Sequence, residues 1–218
     1  MIRAVGVGAG GHAKVLIDIA RRNLQSQVIA LTDPRKELWG TRLLGVEIIG
    51  GDDQLPLLKE QEVTYAFVGL GSIGDNRLRI RLFNLINELG FIPLNLIHPD
   101  ASIASSVTLG AGVTVMAGVV ISPGVGIGDN VVVYSGTVIE HDCLIEDHVH
   151  ISPQATLGGG VTVRRSAYIG IAATVIQGVK IGENALVGAG AVVLDNVPSS
   201  VTVAGCPARI IKQGGTDG

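Results

Sequence analysis

Ile127-Gly128-Asp129-Asn130-Val131-Val132-Val133-Tyr134-Ser135-Gly136-Thr137-Val138-Ile139 sets an aliphatic side chain at every sixth position, and the same beat runs without a slip from Ile103 to Val193. Four residues after each of these anchors stands a small or β-branched residue, among them Val107, Val113, Val119, Cys143, Ala155, Ala191 and Val197. A helix repeats near 3.6 residues and a simple strand at 2, so a strict period of six in two registers is the hexapeptide signature of a β-helix. Each hexad predicts one short flat side of a coil, with the anchor and the residue four on pointing inward. Small side chains suit the second register because the interior is narrow and coils stack at about the 4.8 Å strand spacing. Gly110, Gly112, Gly124, Gly126, Gly128 and Gly136 are expected largely at corners, where a tight turn needs positive φ.

Upstream of the repeat, apolar runs alternate with amphipathic stretches. Strands are expected near Arg3–Val7, Val28–Leu31, Tyr65–Val68 and Ile92–Leu96, and helices near His12–Leu24, Asp53–Glu60 and Asp75–Leu89. Alternating β and α elements imply a parallel sheet covered by helices. The predicted architecture is a small Rossmann-like α/β domain of about four strands over residues 1–98, joined at Ile97-His98-Pro99-Asp100 to a parallel β-helix over residues 99–218 that ends in a tail. The composition of Gly214-Gly215-Thr216-Asp217-Gly218 suggests that this tail is not ordered.

The 218 residues, 47% hydrophobic, are ample for a buried core, and an aromatic content of only 3% fits a narrow prism filled by Val, Ile and Ala. A formal net charge of −3, with the Lys and Arg scattered, leaves no basic stripe and argues against nucleic acid as a partner. Without an apolar run of eighteen, and with Met1-Ile2-Arg3 leading straight into a glycine-rich turn, neither membrane insertion nor secretion is expected, and the predicted location is cytoplasmic. The two cysteines, Cys143 in an inward register and Cys206 near the end, are expected to be reduced.

Gly8-Ala9-Gly10-Gly11-His12-Ala13 fits G-x-G-x-x-A after the first strand, and Asp33 follows about 20 residues on, where a dinucleotide site places its ribose-binding acid. The physical content is narrower, because glycines let the backbone approach a phosphate and a helix N-terminus offers unpaired N–H groups to any nucleotide diphosphate. A half-sized sheet followed by a β-helix counts against NAD. A second cluster, Gly69-Leu70-Gly71-Ser72-Ile73-Gly74 before Asp75-Asn76-Arg77, also leads from a strand into a helix. Ligands of open α/β sheets gather at that edge, although ordinary turns without a ligand are the alternative.

Three of five histidines fall within Ile139-Glu140-His141-Asp142-Cys143-Leu144-Ile145-Glu146-Asp147-His148-Val149-His150. His141 lies outside both inward registers and has carboxylates on either side, which orient an imidazole and suit it to be a general base. Two other readings stay open: that His141, His148 and His150 decorate a solvated face, and that the cluster holds zinc, against which Cys143 points inward. With three hexads per coil, residues three hexads apart lie above one another, so His141 should sit beneath Gly159, whose N–H could steady an oxyanion. His150 lies half a coil from His141 and points elsewhere. The two share a site only if a second subunit brings its own prism alongside.

These residues resemble the left-handed β-helix acyltransferases, and more closely the bacterial sugar acetyltransferases of the PglD and NeuD type. The resemblance runs through Gly8-Ala9-Gly10-Gly11-His12-Ala13-Lys14-Val15, Asp75-Asn76-Arg77-Leu78-Arg79 and Ile97-His98-Pro99. It continues through Val138-Ile139-Glu140-His141-Asp142-Cys143, Val149-His150-Ile151-Ser152-Pro153 and Ala204-Gly205-Cys206-Pro207-Ala208-Arg209. It implies a homotrimer with active sites between prisms, acetyl-CoA as donor, no metal, and a UDP- or GDP-linked amino sugar held by the N-terminal domain and acetylated on its 4-amino group. On that resemblance His141 is the base with Asp142 beside it, His150 meets the acetyl-CoA end, and Gly159, Ile171 and Ala189 line the CoA groove. Gly10, Gly11, His12, Asp33, Gly71, Asp75 and Asn76 face the nucleotide. One departure is Tyr134-Ser135, where relatives acting on a 4-amine often carry Asn-Thr, and it reshapes the sugar pocket. The rival readings are O-acetylation of a sialic acid or other sugar hydroxyl, a non-catalytic β-helix assembly module, and a nucleotide-sugar oxidoreductase.

Overall fold

The computed structural model describes residues 2–23, 26–72 and 74–213. The tail Gly214–Gly218 and Leu24, expected as a helix end, lie outside them. The chain divides into two compact units, Met1–Ile73 with Arg77–Pro99 and Gly74–Asn76 with Asp100–Gly218.

In the first unit, β1 (Ile2–Val7), β2 (Ser26–Thr32), β3 (Arg42–Leu43), β4 (Val46–Gly50), β5 (Tyr65–Val68) and β6 (Ile92–Pro93) form a sheet ordered β3-β4-β2-β1-β5-β6. Only the β3–β4 pair is antiparallel. Helices α1 (Gly11–Arg22), α2 (Leu55–Glu60) and α3 (Arg77–Glu88) accompany the sheet. Six strands replace the expected four, the additions being β4 and its short partner β3. Val46-Glu47-Ile48-Ile49-Gly50 alternates buried and half-buried side chains, the period-2 pattern of a strand. The run expected over Ile92–Leu96 is broken into Ile92–Pro93, which is an edge strand of this sheet, where a proline costs no ladder bond, and Leu96–Ile97, which lies outside the sheet. Val5, Val7, Ala30, Ala66, Val68, Leu55, Ile86 and Phe91 belong to one buried core cluster, into which β1, β2 and β5 all send side chains.

The second unit is a three-sided parallel β-helix. Two-residue strands stack on each face with partners three hexads apart, as in Val115↔Val133, Ile121↔Ile139 and Ile127↔Ile145. The first face carries Thr114–Val115, Val132–Val133, His150–Ile151, Tyr168–Ile169 and Leu186–Val187, the second runs from Ser102–Ile103 to Val192–Val193, and the third from Thr108–Leu109 to Lys180–Ile181. Anchors from Val115 to Val193 are buried, as are their partners from Val113 to Ala191. Each such pair removes two side chains from water, about 1.5–3 kcal/mol apiece for the larger aliphatics, which is the main force holding a coil whose strands are so short.

The corners carry a further regularity. Every sixth residue from Gly112 to Gly190 has a positive φ, whether glycine, as at Gly124 and Gly136, or not, as at Asn130, Asp142, His148, Ser166 and Ala172. Gly110, Gly126 and Gly128 lie outside this series and correct the expectation for them. Gly110 and Gly128 are needed for space instead: a Cβ there would collide with Asp129 Oδ1 and Asp147 Oδ1, respectively. The regular count ends after Val193. Val197 bridges Ile181, which is less than a full coil back, so it takes a place near the anchor register and not the second inward one. Val201–Ala204 then extends the first face, and Arg209–Gln213 returns antiparallel to it.

Candidate active site

His141 and Asp142 follow the Val138–Ile139 strand and turn the chain from the second face to the third. The positive φ of Asp142 (60°) belongs to the corner series, and aspartate is among the side chains that tolerate it best. From there its Oδ2 meets His141 Nδ1 at 2.8 Å, and both side chains are mostly exposed, the histidine at 64%. If Nδ1 donates to the carboxylate, Nε2 is left to present its lone pair to a ligand.

One coil on, a Cβ built on Gly159 would lie 2.7 Å from both Cε1 and Nε2 of His141, so the imidazole occupies the space that glycine leaves. The stacking expected from the three-hexad spacing is what the structure contains. Gly158 donates its N–H to Val175 O and Gly160 to His141 O. Among the described residues the Gly159 N–H joins no such coil-to-coil bond. Inside the turn, Cys143 Sγ donates to Gly158 O at 3.2 Å, and burial pushes its thiol pKa up, which keeps it a neutral, inward packing group.

His148 and His150 are buried, which overturns their reading as decoration of a solvated face. Asn130 Nδ2 lies 3.0 Å from His148 Nδ1, and Asn76 Nδ2 donates to the carbonyls of His148 (3.0 Å) and Ser166 (3.4 Å). His150 is 4% exposed and stacks on Tyr168 with centroids 4.4 Å apart, while Tyr134 packs at 4.7 Å on the tilted side. Asn130 and Tyr168 were missed in the sequence, although each stands one full coil from its histidine, the spacing that located Gly159.

Ile171, 54% exposed, and Ala189, also exposed, lie one coil apart at the corner between the first and second faces. His141 and Gly159 occupy the corner between the second and third. The four therefore do not meet within one chain. Among the described residues no group of three His, Cys, Asp or Glu could hold a metal ion, and no helix is long and apolar enough to cross a membrane.

In the α/β unit, Gly8 takes φ +103° and donates its N–H to Thr32 O, turning the chain off β1. Gly10 caps α1 without a side-chain bond, and the first turn of the helix holds no acidic residue. A Cβ on Gly10 or Gly11 would meet nothing within 4 Å, and neither has a positive φ, so the fold itself does not demand glycine there. Open space over unpaired N–H groups is what an approaching phosphate needs. Asp33 is buried and already engaged: Oδ2 accepts from Ala9 N–H at 2.9 Å, and Arg35 closes on both oxygens at 2.7 and 2.9 Å. The Arg35 guanidinium holds the Asp33 carboxyl below its ordinary range against the opposing effect of burial. Its direct role is to hold the glycine loop. His12 and Gly71 are half-buried, and Asp75 is exposed.

Residues 5–86 match the PglD N-terminal domain, and residues 124–159 match the bacterial transferase hexapeptide (six repeats). GDP-perosamine N-acetyltransferase of Escherichia coli O157:H7 is 31% identical over 219 residues, 96% of each chain. A histidine-to-alanine mutant of GDP-perosamine N-acetyl transferase from Caulobacter crescentus, solved with CoA and GDP-perosamine, is 43% identical over 95% of each chain with a TM-score of 0.88. The acetyltransferase domain of PglB from Neisseria gonorrhoeae FA1090, in complex with acetyl coenzyme A, is 34% identical over 96% of this chain and 99% of that one, with a TM-score of 0.86.

Proposed function

The chain belongs to the PglD-type hexapeptide-repeat sugar acetyltransferases, with their left-handed β-helix, and on that premise we propose that it transfers the acetyl group of acetyl-CoA to the 4-amino group of a GDP-linked amino-deoxy sugar. GDP-perosamine, held by the Caulobacter relative, is the sugar nucleotide we assign. The observation that carries the reading is the exposed His141–Asp142 pair beneath Gly159. Residues 1–98 form the nucleotide-binding domain and residues 99–218 the acyltransferase domain, and the reaction runs in the cytoplasm, where acetyl-CoA is made.

His141 Nε2 accepts a proton as the neutral sugar amine attacks the thioester carbonyl carbon, while Asp142 holds the imidazole and steadies its positive charge. The Gly159 N–H donates to the oxyanion of the tetrahedral intermediate. Collapse breaks the C–S bond, and the imidazolium returns the proton to the departing sulfur, giving CoA thiol and the N-acetylated sugar. No covalent acyl-enzyme is needed.

Because His141 and Gly159 occupy one corner and Ile171 and Ala189 another, a complete site needs the second-to-third corner of one prism beside the first-to-second corner of a neighbour. A closed three-fold ring supplies that pairing three times, which supports a homotrimer. CoA then runs along Ile171 and Ala189 of one subunit toward His141 of the next, with His150 near its acetyl end. Gly10, Gly11, His12, Gly71 and Asp75 serve the nucleotide, with Asp33 fixing the loop, whereas Asn76, expected to join them, is buried and spends its amide on the His148 and Ser166 carbonyls of the β-helix unit.

Thiol release from acetyl-CoA tests the assignment, with GDP- and UDP-linked 4-amino sugars and free sialic acid as parallel acceptors. Release is expected with the GDP-linked amino sugar. Release with sialic acid alone would replace the assignment with O-acetylation, and silence with every acceptor would remove it.

A further inference from the structure

Trp39 is the only tryptophan in the chain, and it stands outside the core, 40% exposed. A single exposed aromatic is ordinary in itself, but this one is held in place. Its Nε1–H donates to Asp33 O at 2.8 Å, and its backbone N–H to Lys36 O at 3.2 Å. The Lys36 ammonium lies over the ring, 5.9 Å from its centroid. The residue that fixes the indole is therefore the one whose carboxylate holds the Ala9 amide of the glycine loop. The ring stands at the C-terminal ends of β2 and β4, the edge at which ligands of open α/β sheets collect.

Gly51 ties a carboxylate to this ring. A Cβ on Gly51 would lie 2.7 Å from Asp53 Oδ1 and 3.6 Å from Trp39 Cζ2, so both groups flank the same Cα. Gln54 Nε2–H donates to Asp53 Oδ2 at 2.7 Å, which uses one lone pair of that oxygen and leaves its other lone pair and Oδ1, the oxygen beside Gly51, as acceptors. Asp52, the neighbouring carboxylate, is instead tied to the Thr32 hydroxyl at 2.7 Å.

We propose that Trp39 and Asp53 read the nucleotide base: the indole is the platform on which the base stacks, and Asp53 accepts the N1–H and exocyclic N–H of guanine. This rests on the reading of the α/β unit as the nucleotide domain and deepens it. Guanine offers two adjacent donors to one carboxylate, whereas uracil offers a single N–H between two carbonyl oxygens, which a carboxylate repels. A purine also presents the larger face to the indole, and stacking of this kind tolerates any base while favouring the bigger one. Asp53 thus supplies the discrimination and Trp39 the affinity.

The lone tryptophan makes the test direct. The full-length protein is titrated with GDP and with UDP, following indole emission, with calorimetry in parallel. GDP should quench the emission and saturate, and UDP should bind at least tenfold more weakly. Asp53→Asn should reduce the GDP-over-UDP ratio by about tenfold or more while leaving the quench at saturation. Trp39→Leu, read by calorimetry, should weaken GDP by roughly ten- to a hundredfold. GDP binding with unmoved emission, or an unchanged ratio in Asp53→Asn, overturns the proposal. If acetyl transfer to the GDP-linked sugar persists in that case, the base reader alone falls. If transfer is absent and neither nucleotide binds, the assigned function falls with it.

Discussion

Replacing His141 with alanine is expected to cut acetyl transfer by roughly 10² to 10⁴, the range lost with a general base, while thermal stability and oligomeric state stay as they were. The two halves of that expectation have separate causes. The imidazole is exposed and its hydrogen-bond partner is Asp142, so its removal opens no cavity in the prism. The backbone carbonyl of His141, which accepts from Gly160 N–H, is untouched by the substitution. Steady-state thiol release and a melting curve on the same preparation check both halves, and near-wild-type turnover would take His141 out of the mechanism.

Gly159→Ala is expected to lose a comparable amount of activity, about 10²-fold, for a geometric reason. The new methyl would lie 2.7 Å from two imidazole atoms and must push the ring aside, and a displacement of about 1 Å at a reacting group can cost 10²-fold. The ring is the mobile end of a side chain and Gly159 has no positive φ, so the prism should keep its stability to within about 0.5 kcal/mol. The neighbouring Gly158 makes the control. A Cβ there meets the backbone of Gln177 at 2.6 Å, which cannot step away, and Gly158→Ala should lower the melting temperature. A Gly159→Ala protein with normal kcat would show that the imidazole does not work from the position seen here.

The β-helix was legible because its period is imposed by geometry: every coil repeats one inward pair, and three hexads close a turn, so His141 could be set beneath Gly159 by counting. The same count reaches Asn130 from His148 and Tyr168 from His150, and the burial of both histidines follows from those partners. What counting could not give was which glycines answer to φ and which to space. Gly112 sits in the left-handed corner series, while Gly110 makes room for the Asp129 carboxylate, and only coordinates distinguish the two. Beyond Val193 the period fails because the last coil is shorter, a change that the apolar pattern hides behind Val197. In the α/β unit, strands buried on both faces read clearly as apolar runs, but β4 alternates and is masked by the polar residues around it. Asp33 was found by its distance from the glycine loop. That it is clamped by Arg35 and Ala9 depends on side-chain geometry with no signature in spacing.

The central claim is that the catalytic corner of one subunit is completed by the CoA corner of another. Subunit mixing tests it most directly. His141→Ala disables one corner, and Ala189→Trp, which fills the exposed position at the other, disables the second, so each protein alone should be inactive. Co-assembled at equal amounts, random assortment should restore about one quarter of the sites, those pairing an intact His141 corner with an intact Ala189 corner. Activity near a quarter of wild type in the co-assembled population as a whole is the predicted result. Mixed oligomers as inactive as their parents would place both corners' work within a single chain and contradict the account.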